Sequence, residues 1–149
     1  MKSFAFCPVT DKQINERVAR FNAAFTMLLL LIFLITQSII PVLFLAVDFL
    51  LRAADYSQYS LLAISSRGIV KYFSINGYQI NAGPKLFAAR IGFVFSLLII
   101  VSFLSGAVLP AIILGGILGL FSFLESVFGL CVACEIYPYV YRILQKTSL

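Results

Sequence analysis

The chain has 149 residues, of which 62% are hydrophobic and only 11% charged, and its mean hydropathy is +1.04. Soluble domains carry about 25% charged and about 45–50% apolar residues, so a water-soluble globule is excluded, and the same apolar content excludes disorder. The sequence contains no His, which removes His-ligated haem, a Ser–His–Asp triad and most zinc or copper sites. What remains is an integral membrane protein of one domain, residues 1–149, and its net charge of +5 points to membrane-flanking loops rather than nucleic acid.

A spanning helix needs about 20 mostly apolar residues. The first stretch that qualifies is 21–39, which is free of charge and includes the run Met27 to Ile35. The polar stretch before it places Ile14, Val18 and Phe21 at helical spacing and predicts an interfacial helix leading into the span. The Met-Lys opening does not read as a signal peptide, because polar residues fill positions 10–20 and no small-x-small cleavage site follows the apolar run. A second span is expected over 40–56, with Pro41 in its first turn, where proline is tolerated. The tight link through Gln37 and Ser38 makes the two an antiparallel hairpin.

Residues 57–85 are too polar to cross. Leu61, Leu62, Ile64, Ile69, Val70 and Phe73 suggest an amphipathic helix lying on the membrane surface, with Arg67 and Lys71 towards the head groups. Asn76-Gly77 and Gly83-Pro84 then mark turns. A third span is expected over 86–105 and a fourth over 107–132, joined at Ser105-Gly106, with Pro110 in the fourth span's first turn. Gly106, Gly115, Gly116 and Gly119 lie along this hairpin and allow close helix approach. No repeat of 20–50 residues is evident; the two hairpins are only loosely alike, each with a proline near the start of its returning helix.

Charge gives the orientation. Four of the eleven Lys and Arg precede the first span (Lys2, Lys12, Arg17, Arg20), five lie from Arg52 to Arg90 (with Arg67, Lys71 and Lys85 between), and Arg142 and Lys146 follow the fourth. Neither hairpin turn carries any. The positive-inside rule then places segments 1–20, 57–85 and 133–149 in the cytoplasm. The expected fold is thus all-α, with four spans as two hairpins and both termini inside.

Ionisable groups within hydrocarbon need a partner or a watery site. Asp48 falls roughly 12 Å into the second span, with Arg52 at i+4 and Asp55 a further turn on. Glu125 lies roughly 27 Å along the fourth span, and Arg90 begins the third at similar depth. Asp48, Arg52, Asp55, Arg90 and Glu125 are therefore expected to form one polar network. It either holds the helices together, Arg52 being satisfied by two aspartates, or opens as a pocket for a small anion or a proton relay. Asp48 is the deepest member and Arg52 stands beside it.

The cysteines form the second constellation. Cys131-Val-Ala-Cys134 is a C-x-x-C at the end of the fourth span, and Cys7-Pro8 precedes the first. Such spacing brings two sulfurs within bonding distance and often accompanies a lowered thiol pKa. A permanent disulfide is disfavoured in the cytoplasm, and three thiolates would need Glu135 or water to complete a metal site. Against a reactive role, Cys also serves as a small apolar residue in helices, and no thioredoxin-like βαβ pattern surrounds the motif. An unbroken fourth helix would oppose thiolate with its negative end, whereas a break near Gly129 or Pro138 would start a new helix and reverse the effect.

Cys7-Pro8, the run Gly83-Pro84-Lys85-Leu86-Phe87-Ala88, and above all Gly129-Leu130-Cys131-Val132-Ala133-Cys134-Glu135-Ile136-Tyr137 make the chain resemble the DUF4395 family of small bacterial integral membrane proteins. The resemblance covers nearly the whole chain. It implies a multi-pass protein of the bacterial cytoplasmic (inner) membrane and a key C-x-x-C, and it assigns no reaction or cofactor. The leading functional expectation is a thiol protein of disulfide redox or sulfur transfer: Cys131 and Cys134 cycling, Cys7 a resolving thiol, Glu135 a proton acceptor, and a thioredoxin-like or sulfurtransferase protein as cytoplasmic partner. The alternatives are a small-ion carrier that uses Asp48, Arg52 and Glu125, or a structural subunit whose glycine-lined faces pack on other helices or on a second copy.

Overall fold

A computed structural model describes residues 13–54, 56, 58–74, 77, 79–129 and 132–147. It is helical apart from one small ribbon. Strand β1 (Gln13–Asn15) leads into α1 (Glu16–Thr36), α2 (Ile40–Ala53) and α3 (Leu61–Tyr72); strand β2 (Gln79–Asn81) leads into α4 (Ala82–Leu104), α5 (Val108–Phe128) and α6 (Val132–Thr147).

Among the described residues three helices are long and apolar enough to cross a membrane: Glu16–Thr36, Lys85–Leu104 and Val108–Phe128. The stretch expected as the second span holds a helix of only 14 residues, α2. At 1.5 Å per residue it extends about 21 Å, short of the roughly 30 Å of hydrocarbon. The first span also starts earlier than expected. Among the described residues no separate interfacial helix precedes it: Gln13–Asn15 is a strand, and the Asn15 side chain caps α1 by accepting the Arg17 N–H at 2.9 Å. The last expected span stops at Phe128, because Gly129 adopts φ +70° and closes α5 with its N–H on the Glu125 carbonyl.

The ribbon exposes an internal relationship. β1 and β2 are both Gln-Ile-Asn, and they pair antiparallel with Ile14 opposite Ile80 at the centre, so exchanging the strands leaves the register unchanged. The order strand, long helix, helix, helix occurs twice. The packing repeats as well: α1 lies chiefly against α5 and α4 against α2, while α3 rests on α1 and α6 on α4. The two halves thus share an element order, a packing pattern and the Gln-Ile-Asn strand, an internal duplication of structure with approximate two-fold symmetry. The separation between equivalent residues grows along the chain. It is 66 residues at the strands (Ile14, Ile80), 69 at the prolines (Pro41, Pro110) and 71 at the starts of α3 and α6 (Leu61, Val132).

The core lies between the halves and includes Leu30, Phe33, Val42, Leu45, Phe49, Ile99, Ala111 and Leu118. Each inter-repeat seam has a glycine that receives a phenylalanine ring. A Cβ on Gly92 would stand 2.7 Å from the Phe49 ring, and one on Gly115 would stand 3.1 Å from that of Phe33. Phe49 is buried and cannot retreat freely. Gly92→Ala is therefore expected to cost about 1–3 kcal/mol through overpacking, while Gly116→Ala, with nothing within 4 Å, is close to neutral. Detergent-titration unfolding of the two variants checks the contrast.

Candidate functional site

The polar side chains gather at one end of the bundle, where α1 and α4 begin and α2 and α5 end. The two turns at the other end, around Gln37 and Gly106, carry no charge. Asp48 is 3% exposed on α2. Its Oδ2 stands 3.0 Å from Arg52 Nε one turn on, and its Oδ1 accepts a hydrogen bond from the Ser60 hydroxyl. Ser60 is fully buried and is also the N-cap of α3, its Oγ accepting the Ala63 N–H at 3.3 Å. One serine thus ties the end of α2 to the start of α3. A second latch, Ser66 Oγ to Asn22 Oδ1 at 2.7 Å, ties α3 to α1. Both latches are buried, where an unmade hydrogen bond would be costly.

Arg52 lies over the Phe49 ring, 4.7 Å from its centroid. The expected network is otherwise divided. Glu125 pairs with Lys85, not with an arginine, although Arg52 lies within its electrostatic reach. Arg90 Nε donates to the Ala53 carbonyl at 3.4 Å, capping the end of α2 instead of joining a carboxylate. Asp55, the expected second partner of Arg52, falls outside the described residues. Asp48 Oδ2 and Arg52 Nε face each other as an ion pair without a well-aligned hydrogen bond, and Arg90 Nη1 is buried without a hydrogen-bond partner. Lys85, Ser60, Asn22 and Ser66 escaped the sequence reading because a hydrogen bond between distant helices has no local signature.

The thiol constellation is reached through its frame. Cys7 and Cys131 lie outside the described residues, and of Cys134 the backbone alone is described, in the first turn of α6. The helix break is clear: α5 ends at Phe128, and α6 begins anew at Val132. Glu135 is exposed in the first turn of α6. Pro138 has no N–H to offer the Cys134 carbonyl. Beside the break stands Arg20, whose Nη2 donates to the Val127 carbonyl at 2.8 Å. A Cβ on Gly129 would lie 3.3 Å from Glu16 Oε1 and 3.5 Å from Arg20 Nε, so the first turns of α1 flank the hinge. A cation on the last carbonyls of α5 offsets the negative end of that helix. Arg20 was absent from the sequence-derived site, since its partner lies 107 residues away. Among the described residues no three of Cys, Asp and Glu gather closely enough to hold a metal ion.

The family model described as Domain of unknown function (DUF4395) matches residues 14–142. The chain belongs to this family. The match takes in both hairpins, the break at Gly129 and the C-x-x-C, and it leaves Cys7 outside. No curated protein and no solved structure matches this DUF4395 chain.

Proposed function

We propose that this DUF4395 protein is a multi-pass membrane thiol protein whose Cys131 and Cys134 exchange disulfides, or carry sulfane sulfur, at the cytoplasmic face of the bacterial inner membrane. The observation that carries this reading is the break at Gly129: the backbone of Cys134 falls in the first turn of a new helix rather than at the end of an old one. Thiols at helix N-termini and beside cations are favoured as thiolates. The duplication adds an assignment. Residue 131 immediately precedes α6 as Ser60 precedes α3, and Ser60 is a helix N-cap. By this equivalence Cys131 is the attacking thiolate and Cys134 the resolving thiol. Arg20, at the hinge, is a positioning cation.

Exchange with a partner disulfide runs in two balanced steps. Cys131 thiolate attacks one partner sulfur, giving a mixed disulfide and releasing the other partner sulfur as thiolate. Cys134 then attacks the Cys131 sulfur, leaving this protein oxidised and the partner reduced. A thioredoxin-like cytoplasmic protein suits that exchange. The segregation of all Lys and Arg away from the two hairpin turns supports four passes with both termini inside, α2 being the short member.

Acid quenching of cells followed by intact-mass measurement tests the proposal. The expected result is a population lighter by two hydrogens that disappears in both Cys131→Ser and Cys134→Ser, or one heavier by one sulfur that disappears in Cys131→Ser. Fully reduced, unmodified protein under both oxidising and sulfur-donating conditions would refute it. A second reading, binding of a small anion at the polar end of the bundle, is favoured by the buried Arg90 Nη1, which has no hydrogen-bond partner; it requires Arg90 and leaves the cysteines dispensable.

A further inference from the structure

The duplication equates α3 with α6, and both helices present the same pattern outward. On α3, Leu61, Ile64 and Tyr72 are exposed along one face, with Arg67 and Lys71 on its flank. On α6, Ile136, Tyr139 and Ile143 are exposed at i, i+3 and i+7, with Arg142 and Lys146 on the corresponding flank. The pair Arg-x-x-x-Lys occurs in both helices, one turn later in α6, which is 16 residues long against 12 for α3. Tyr139 and Ile143 are 68% and 64% exposed, values that a helix in water would not sustain along one stripe.

The opposite face of α3 is fixed inward by the Ser60–Asp48 and Ser66–Asn22 latches and by buried Leu62, Ala63 and Val70. The apolar stripe therefore cannot rotate onto the bundle. α6 packs on α4, with Ile136, Tyr139 and Ile143 left exposed.

We propose that α6 and α3 form a symmetric pair of interfacial helices that bind a bilayer surface rich in anionic lipid. The apolar stripes enter the boundary between head groups and acyl chains, and Arg67, Lys71, Arg142 and Lys146 meet lipid phosphates. Three observations select this occupant over a protein. The stripe is flanked by cations on both helices. α6 begins four residues beyond the last residue of a helix long and apolar enough to cross a membrane, which sets its depth. The aromatic tips are Tyr, an interfacial residue in a chain that has no Trp. Each basic residue near an anionic surface adds attraction.

The lack of Trp supplies the test. Tyr139→Trp and, separately, Ile143→Trp place a single indole on the α6 stripe of the full chain, which is reconstituted in nanodiscs of phosphatidylcholine with or without phosphatidylglycerol. The expected result is strong quenching by brominated lipid and weak quenching by aqueous iodide. Phosphatidylglycerol should increase the lipid quenching several-fold, and adding Arg142→Gln with Lys146→Gln should abolish that increase while leaving the phosphatidylcholine value unchanged. Tyr72→Trp should behave alike on α3. Iodide quenching at the level of free tryptophan amide in both lipids would overturn the proposal, as would lipid quenching indifferent to phosphatidylglycerol.

Discussion

Arg52→Leu is expected to destabilise the protein by about 3–5 kcal/mol, because it strands the Asp48 carboxylate in a buried site with the Ser60 hydroxyl as its one remaining hydrogen-bond donor. The side chain of Asp48 is 2% exposed and that of Arg52 17%, so the two partners are not equivalent. Asp48→Asn should be milder, since the freed guanidinium can extend towards the interface along its aliphatic stem, while Asn can still bond Ser60. Removing both charges in Asp48→Asn/Arg52→Leu should restore most of the loss, leaving a coupling of well over 1 kcal/mol. Reversible unfolding in mixed micelles measures all three variants. If Arg52→Leu costs less than about 1 kcal/mol, the pair behaves as a solvated surface ion pair, and the buried latch between α2 and α3 is wrong.

The membrane character, the helical class and the placement of three long apolar helices were legible because hydropathy averages over twenty residues and needs no knowledge of neighbours. α2 was misjudged at its end. Leu50 and Leu51 before Arg52, with Ala53 and Ala54 after it, continue the hydrophobic pattern, yet the helix stops at Ala53, where the chain turns to seat Ser60 beneath Asp48. The interfacial helix expected before the first span was overridden by the strand pairing of Gln13–Asn15 with Gln79–Asn81. That pairing was invisible locally, since a three-residue strand has almost no signal until its partner is known. The internal repeat has no signature at 20–50 residues because its spacing is longer and drifts from 66 to 71, with α4 and α5 longer than α1 and α2 and the connector before α6 shorter than that before α3. Of the polar network, the i,i+4 relation of Asp48 and Arg52 was readable from helical geometry. The Lys85–Glu125 pair and the Arg20 contact to Val127 were not, since each joins helices whose mutual rotation the sequence does not specify. The break at Gly129 was legible as an alternative only; which of the two helix polarities applied depended on the left-handed conformation that Gly129 adopts.

That polarity carries the second large expectation. An ordinary thiol has a pKa near 8.5, and thiols at helix N-termini or beside cations fall to about 3.5–7.5. On the proposed reading Cys131 should therefore hold more thiolate at neutral pH than a free cysteine. Because the thiolate is the reactive form, its alkylation should lose less rate than that of free cysteine as pH falls below about 8. Cys134→Ser should leave the Cys131 profile in place, whereas Arg20→Gln should move it towards that of a free thiol by removing the cation at the hinge. Cys131→Ser should eliminate the fast phase altogether.

The decisive measurement is the alkylation rate of Cys131 against pH in the Cys7→Ser/Cys134→Ser protein, reconstituted in lipid and read by mass. The proposed place of residue 131 directly before α6 requires a midpoint clearly below that of a free thiol. A rate that climbs through about 8.5, like that of free cysteine, would contradict the account and leave the C-x-x-C as packing at the end of a membrane bundle.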